Sequence, residues 1–291
     1  KDAQTSFDYQ TSATQVLYLQ HVIRNLRNGG RCGIVLDEGL LFRTNEDAFV
    51  KTKRKLLDDC NVWCIVSLPA GVFTAAGAGV KTNLVFFSKG KPTENIWYYD
   101  LTDVKVRKKT PLTIKHFVDF FKHLPQRAET ELSWTVNVID RKRKAAEEAK
   151  PFKETANQKQ QQALPVAERI KTLKNLIAKT KRQITANEKD LKSQSDKTEF
   201  KELDLKLTQL LANVTDQLNE TENNYKSIMA EFREASAKAK EIEDAVYDLK
   251  AVNPNKKQTI DTRTPNELID IIEAKGKEIA EALAELRKIS A

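Results

Sequence analysis

The chain has 291 residues, enough for two domains, and its 49 Lys and Arg residues outnumber its 41 Asp and Glu residues. The resulting net charge of +8 is compatible with a polyanionic partner. No apolar run approaches the roughly 20 residues that a membrane helix needs, and no secretory signal is visible. The sequence therefore excludes a membrane-spanning protein, and we expect a cytoplasmic one.

The first half of the chain alternates helical and strand patterns. A helix over 16–26 shows apolar residues at helical spacing and ends at the Asn-Gly-Gly turn of 28–30. The runs 32–36 and 62–68 are short and apolar, as buried parallel strands are, and a helical pattern over 49–57 separates them. This alternation predicts an α/β fold with a doubly wound sheet.

Two further strand patterns, 83–88 and 96–100, are joined by a short turn with no helix. We expect these two strands to pair antiparallel, which would make the sheet mixed at this edge. A short helix should follow, with Thr113 as its cap and apolar residues along one side.

The second half has the composition of long helices. Apolar residues over 166–191 alternate steps of three and four, with Thr180 and Asn187 in the seam, which is a heptad pattern. A second helix is predicted over 200–249, and the Thr-Pro-Asn-Glu run at 264–267 begins a third. Short breaks between long helices favour antiparallel neighbours.

Three segments are predicted from these patterns: an α/β domain over 1–110, a connector with a short helix over 111–150, and a helical, coiled-coil-like region over 151–291. The second long helix is predicted to be too long for its neighbours to cover, which would leave an apolar strip for a helical partner. We also expect that residues 166–291 can be removed without unfolding the α/β part.

One pair of motifs is more specific than these patterns. Residues 67–90 read SLPAGVFTAAGAGVKTNLVFFSKG, and residues 29–36 upstream read GGRCGIVL. Together they resemble the second half of an N6-adenine DNA methyltransferase, specifically the modification subunit of type I restriction-modification systems. The resemblance covers residues 1 to about 135 and implies a partial S-adenosylmethionine-methyltransferase (Rossmann-like) mixed sheet, followed by the helical region.

The resemblance implies methyl transfer from S-adenosylmethionine to the N6 atom of adenine in DNA, with the target base turned out of the duplex. In that family the Asn-Pro-Pro-aromatic catalytic loop and most of the cofactor site precede these motifs. No Asn-Pro-Pro or Asp-Pro-Pro run occurs in this chain. We therefore expect no catalytic residue in it and no activity from it alone. The implied partners are DNA, the specificity subunit, on which the helical tail would dock, and the restriction subunit.

Specific residues acquire candidate roles from the resemblance. Phe73 is the candidate for stacking on the target base, the alternative being core packing. Lys81 and Thr82 follow in the family's Val-Lys-Thr-Asn run and are candidates for DNA contact, although a solvated lysine at a strand start is an equal alternative. Tyr18 is the candidate cover for the adenine of S-adenosylmethionine, or else half-buried packing. The family's Pro-Asp/Glu-Gly run is here Asp-Glu-Gly at 37–39, to which we assign no role.

A basic cluster lies on the second helix, where Lys51 and Arg54 are candidate phosphate contacts and a solvated helix face is the alternative. Lys53 and Lys55 belong to the same cluster. The three histidines are scattered, and the three cysteines are interpreted as buried free thiols, so we expect no metal site. The alternative to a methyltransferase subunit is a non-catalytic scaffold with a coiled-coil arm.

Overall fold

The computed structural model describes residues 7–74, 77, 79–107, 109–193, 198–250, 252–255 and 264–289. The chain divides into two compact units, residues 1–253 and residues 254–291. In chain order the first unit contains α1 (Thr14–Asn25), β1 (Arg31–Asp37), α2 (Glu38–Phe42), α3 (Asp47–Asp59), β2 (Cys60–Ser67), β3 (Thr82–Lys89), β4 (Asn95–Asp100), a 3-10 turn (Ile114–Phe117), α4 (Val118–His123), β5 (Ser133–Asn137), α5 (Val138–Ser193) and α6 (Thr198–Ala245). The second unit contains α7 (Pro265–Ile289).

The strands form one mixed sheet in the order β1-β3-β2-β4-β5. β3 is antiparallel to both β1 and β2, and β4 is parallel to β2, so β1, β2 and β4 run in the same direction. β5 pairs antiparallel with β4 and forms one edge of the sheet. The predicted mixed α/β sheet followed by long helices is therefore confirmed, and β5 is a strand that the sequence pattern does not predict.

The predicted antiparallel pairing of β3 with β4 is wrong, because β2 lies between them. After β3 the chain turns at Gly90, whose φ is +111° and whose N–H donates to the Asp59 carbonyl at 2.9 Å. The Thr93 hydroxyl then donates to the Cys60 carbonyl at 2.6 Å and accepts from the Val62 N–H at 2.8 Å. These bonds hold the chain across the start of β2, so that β4 pairs in parallel on its far side.

The two faces of the sheet bury separate apolar cores because side chains alternate along each strand. Ile65 of β2 and Tyr98 of β4 lie in the first core, which also packs α1, α3 and the residues just after α6. Val66 and Tyr99, one position further along, lie in the second core, where Phe120 of α4 covers them. The strands β2 and β4 are thus covered on both faces.

Two predicted helix starts are confirmed. Thr113 precedes the 3-10 turn and forms a reciprocal capping box with His116. At the start of α7 the Glu267 N–H donates to the Thr264 hydroxyl at 3.3 Å, and the Thr264 N–H donates to the Glu267 carboxylate at 2.5 Å. Both boxes satisfy N–H groups that a helix end otherwise leaves without partners.

α5 and α6 fold back on one another as an antiparallel hairpin, which we call the arm. Lys174 pairs with Glu222 at 2.8 Å and Lys159 with Glu231 at 2.6 Å, so residue numbers fall along α6 as they rise along α5. The predicted antiparallel arrangement of long helices is confirmed. α5 has 56 residues against 48 in α6, so the expectation that α6 is too long for its neighbours is wrong.

The seam of the arm is narrow and contains the predicted polar residues. Thr180 is 1% exposed and bonds back to the Leu176 carbonyl at 3.0 Å, while the Asn187 side-chain amide donates to Asp204 of α6 at 3.4 Å. Elsewhere the buried seam residues are mostly small: Ala149, Ala156, Ala163, Leu173, Val214, Ala235 and Ala239. The two helices can therefore approach closely.

The residues just after α6 belong to the α/β core. Leu249 is 2% exposed, its N–H donates to the Leu41 carbonyl at 3.0 Å, and its carbonyl accepts from the Tyr98 hydroxyl at 3.1 Å. Arg141 at the start of α5 donates to the Ala245 and Asp248 carbonyls, each at 2.8 Å. We call residues 244–250 the clamp. The structure argues against the expectation that 166–291 can be deleted while the α/β part stays folded.

In the part of the chain that the structure describes, no helix is long and apolar enough to cross a membrane. The functional boundaries near residues 110 and 150 stay predictions.

Candidate functional site

The carboxyl ends of β1, β2 and β4 meet at one edge of the sheet, which we call the carboxyl edge. Ligands of α/β sheets bind at such edges. The segment leading into β3 lies there too, because the Glu38 N–H donates to the Lys81 carbonyl at 2.9 Å and the Leu68 N–H donates to the Thr82 carbonyl at 3.1 Å. The structure therefore brings the ends of β1 and β2 together with the candidate residues Lys81 and Thr82.

The loop after β2 carries Phe73 and turns on a glycine. Gly71 has φ +88°, and its carbonyl accepts from the Thr74 N–H at 3.1 Å. Val72 packs against the second core, whereas the partly buried Phe73 ring belongs to neither core. Packing therefore fixes Val72 more firmly than its neighbour. The stacking role of Phe73 stays a prediction, and the core-packing alternative gains no support from these contacts.

Lys81 and Thr82 differ in accessibility. The Lys81 side chain is exposed, while the Thr82 hydroxyl oxygen is buried and has no hydrogen-bond partner in the described part of the chain. A buried hydroxyl without a partner is costly, by about 1–3 kcal/mol. Lys81 can meet a phosphate as it stands, whereas Thr82 would have to expose its hydroxyl first. Both DNA-contact roles stay predictions.

The Asp-Glu-Gly run after β1 has structural partners. The Asp37 carboxylate accepts from the Leu40 N–H at 2.7 Å and caps α2, and Glu38 pairs with Lys250 of the clamp at 3.3 Å. A Cβ on Gly39 would stand 2.8 Å from the Asp37 carboxylate, so this position favours glycine. The contacts explain the run without a catalytic role.

A turn at the end of β4 was missed by the sequence analysis. The Asp100 carboxylate accepts from the Thr102 N–H at 2.9 Å and from its hydroxyl at 2.6 Å. The Leu101 N–H donates to the Ser67 carbonyl at 2.9 Å, which joins this turn to the end of β2. An Asp followed two residues later by Thr is the local signal for such a turn.

Tyr18 lies on α1 and is 59% exposed, whereas its neighbours Val16 and Leu19 are fully buried. The ring is therefore accessible to a ligand, and its exposure argues against the alternative that Tyr18 is half-buried packing. No described contact joins Tyr18 to the loop of Phe73. Its role in cofactor binding stays a prediction.

The basic cluster on α3 does not form one solvated face. Lys51 pairs with Asp47 at 3.3 Å on its own helix. The Arg54 guanidinium lies 3.7 Å from Asp244 and 4.9 Å from the centre of the Tyr247 ring, so it joins α3 to the clamp. Arg54 therefore already has a structural use. Phosphate contact by either residue stays a prediction.

Lys53 corrects the solvated-face interpretation, because its side chain is fully buried. Its ammonium donates to the Leu41 carbonyl at 2.8 Å and to the Arg43 carbonyl at 2.6 Å, the groups that end α2. Burial lowers the pKa of Lys53 to about 8, with Asp248 opposing the shift. The burial of Lys53 cannot be recognised in the sequence, because a lysine can pack its apolar stem against a core whether its charged end is exposed or buried.

The cysteines are free thiols, with Cys60 and Cys64 buried. Burial raises the pKa of the Cys60 thiol to about 11 and that of Cys64 to about 12, so both stay protonated at neutral pH. Among the described residues, no group of three His, Cys, Asp or Glu side chains is placed to hold a metal ion.

Comparison with known proteins shows the family to which the chain belongs. A sequence model described as N-6 DNA Methylase matches residues 3–163, more than half of the chain. The chain belongs to this family. The matched segment contains every candidate site residue named above, and it ends within the first half of α5.

Relatives of this methylase-family chain include two subunits of type I restriction enzymes. The methylase subunit of EcoEI from Escherichia coli is 36% identical over 144 residues, which are 46% of this chain and 29% of that subunit. The EcoKI methylase subunit from E. coli K12 is 36% identical over 126 residues, which are 40% of this chain and 23% of that subunit. The crystal structure of the EcoKI M protein matches with 34% identity and a TM-score of 0.37, over 40% of this chain and 26% of its own. The matches thus span under a third of these relatives.

Proposed function

We propose that the chain is part of the modification subunit of a type I restriction-modification enzyme, an adenine-specific DNA methyltransferase. The observation that carries this proposal is the loop of Phe73, which lies within the family match and at the carboxyl edge of the sheet. In the enzyme, a methyl group passes from S-adenosylmethionine to the exocyclic N6 atom of adenine in DNA.

The residues of this chain hold the target base and the duplex around it. An adenine must leave the stack before its amine can be reached, and an aromatic ring then holds it. Phe73 suits this role because its ring lies outside both cores, on a loop that turns at Gly71. The exposed Lys81 contacts a phosphate beside the flipped nucleotide.

S-adenosylmethionine supplies the methyl group, and this chain contributes a small part of its site. Tyr18, 59% exposed, would cover the cofactor's adenine. β1 has β3 on one side and no strand in the described residues on the other, and its Val35 is 46% exposed. This open edge suits the strands that carry the rest of the cofactor site.

The proposed partners are DNA and the other subunits of the enzyme. In its own unit, α7 exposes a stripe in which Ile272 is 70%, Ile279 60% and Leu283 50% accessible. A lone amphipathic helix gains stability by burying such a stripe against another helix. We assign this partner to the specificity subunit, with the restriction subunit in the same cytoplasmic complex. In this scheme residues 1–110 bind the target base and the cofactor, and residues 151–291 bind the other subunits. Residues 111–150 connect these two regions.

A non-catalytic scaffold is the second candidate, and the arm favours it. α5 has 56 residues, and at 1.5 Å per residue it extends over roughly 80 Å. An arm of this length suits a protein that holds others at a distance. The two candidates differ in whether Phe73 affects methyl transfer.

The test uses the complete modification subunit with its specificity subunit, and measures labelled methyl transfer from S-adenosylmethionine to adenine in DNA. Phe73→Ala should weaken capture of the base, because stacking on an aromatic ring contributes about 1–3 kcal/mol per base. Phe73→Tyr should restore the rate, and Phe121→Ala, at a ring that is 49% exposed on α4, is the matched control. Affinity for S-adenosylmethionine should change in none of them.

Normal methylation by Phe73→Ala would show that Phe73 is ordinary packing. Absence of methyl transfer from the complete wild-type subunit would favour the scaffold. The 291 residues alone should transfer no methyl group, because they contain no Asn-Pro-Pro or Asp-Pro-Pro run.

A further inference from the structure

The two helices of the arm carry opposite charge. α5 has 15 Lys and Arg residues against seven Asp and Glu, a net charge of +8, while α6 has six against 11, a net charge of −5. Some of these opposite charges form ion pairs between α5 and α6, as in the pairs Lys159–Glu231 and Lys174–Glu222. Ion pairing across the seam does not use all the cations of α5.

Five cations in the distal half of α5 are left over, and we call them the basic strip. They are exposed, and none has an ion pair among the described residues: Lys171, Lys179, Lys181, Arg182 and Lys189. Arg182 and Lys189 each follow a buried seam residue, Thr180 and Asn187, by two positions. Two positions are 200° around a helix, so these side chains face away from α6.

We propose that the basic strip binds the phosphate backbone of duplex DNA, outside the site that takes the target base. This inference rests on the proposed function only in its choice of DNA as the polyanion. The strip lies beyond residue 163, where the family match ends, so the family relationship assigns it no role.

The dimensions of the strip suit a duplex. Lys171 and Lys189 are 18 positions apart on one helix, which is roughly 27 Å. That length spans about eight base pairs of a duplex along its axis, at 3.4 Å each. Lys171, Arg182 and Lys189 lie within about 20° of one another around the helix, so each of them can contact a separate phosphate, with Lys179 and Lys181 on the two flanks of this row.

The composition of the strip favours DNA over a protein partner. Lysine is depleted at the centres of protein interfaces, where aromatic and apolar groups are enriched. Between Lys171 and Lys189 the one large apolar side chain among the strongly exposed residues is Leu176, at 38%. The acidic residues of α6 lie across the seam, and at physiological salt charges more than about 8 Å apart are largely screened.

The experiment measures binding of the full 291-residue chain to a duplex of about 30 base pairs that contains only G·C pairs. Such a duplex has no adenine, so the result is independent of the Phe73 site and of methyl transfer. Anisotropy of the labelled duplex is followed from about 50 to 200 mM NaCl, because phosphate contacts make affinity fall steeply with salt. Circular dichroism confirms that each variant keeps its helices.

The test variant combines Lys171→Glu, Arg182→Glu and Lys189→Glu. The control variant combines Lys201→Glu, Lys226→Glu and Arg233→Glu, which changes the net charge equally at exposed positions of α6. We expect the test variant to bind at least tenfold more weakly at 100 mM NaCl. Its slope of log affinity against log salt should be smaller by about three. The control should lose less than threefold.

Equal losses in both variants would mean that net charge alone drives binding, and unchanged binding by the test variant would exclude the strip. Both results overturn the proposal. Sedimentation of the wild-type chain without DNA tests a second copy as the partner. Self-association that the test variant abolishes would make the strip a protein interface and overturn the proposal as well. A milder variant with glutamine at the same three positions should lose less affinity than the glutamate variant.

Discussion

The α/β sheet and the arm belong to one compact unit, yet different forces hold them. The sheet buries large side chains on both faces, with Trp97, Tyr98, Tyr99 and Phe87 each at most 2% exposed. The seam of the arm buries mainly alanines, and its helices carry net charges of +8 and −5. At about 25 cal/mol per Å² of apolar area, the sheet gains far more from burial per residue than the arm does. Charge complementarity therefore matters more in the arm, and side-chain volume matters more in the sheet.

The largest loss of stability should come from removing a large side chain from the sheet core. Phe87 lies in β3 between β1 and β2 and is fully buried, so Phe87→Ala should lower the free energy of unfolding by about 3–5 kcal/mol. Denaturant unfolding followed by tryptophan fluorescence measures this loss.

The counterpart of this variant in the arm is Leu173→Ala, at a seam residue that is 2% exposed. Hydrogen exchange should then increase in the arm and not in the sheet. A loss of protection in both regions would show that they unfold together.

An effect nearly as large should depend on pH, and it concerns the α/β part. Lys53 has a pKa near 8 in the folded chain against 10.5 for an ordinary lysine, a difference of roughly 3 kcal/mol. Between these values the unfolded chain binds the proton more tightly, so stability rises with pH through this window and is flat below it. Relative to Lys53→Met, wild type should gain up to roughly 3 kcal/mol from pH 7.5 to 10.5. Lys51→Met, an exposed change on the same helix, is the control. A constant difference between wild type and Lys53→Met would contradict a buried ammonium.

The smallest effect should appear in the arm and depend on salt. Lys159 and Glu231 pair at 2.6 Å across the seam, with side chains 25% and 50% exposed. Lys159→Gln should destabilise the arm by about 0.2–1 kcal/mol at low salt and by much less at 1 M NaCl. Lys201→Gln, at an exposed α6 cation with no ion pair in the described chain, should show neither change. Thermal unfolding followed by circular dichroism separates the two variants. A loss that persists at high salt would point to packing of the lysine stem instead.

Local patterns predicted those parts of the fold that local physics determines. The helix of α1, the strands β1 to β4 and the start of α7 follow from spacing and capping, which involve residues close in sequence. The order of the strands did not follow, because it depends on Thr93 bonding to Cys60 and Val62 about 30 positions away. The clamp was missed for the same reason, since nothing in 244–250 indicates which surface it joins.

The candidate site was predicted where a motif fixes the backbone, and less well where burial decides the side chain. The loop of Phe73 and the residues before β3 meet at one edge, as the order of the motifs suggests. Lys53 and Arg54 are adjacent in a basic run, yet one is fully buried and the other pairs with Asp244. Which cation is buried depends on the angle at which α3 packs and on the clamp beyond residue 243. Periodicity within α3 contains neither piece of information.

The clamp also bears on how the protein is made. The Tyr98 hydroxyl and the Leu249 carbonyl that accepts its hydrogen bond are 151 residues apart in the chain. At about 5–20 residues per second, a ribosome needs roughly 8–30 s to add that length. Once β5 has been made, the sheet is fully synthesised, while the apolar surface beneath Val246, Tyr247 and Leu249 stays uncovered until the end of this interval. Synthesis of the whole arm must therefore precede closure of the first core, and until then the nascent sheet exposes an apolar surface of the kind that promotes aggregation.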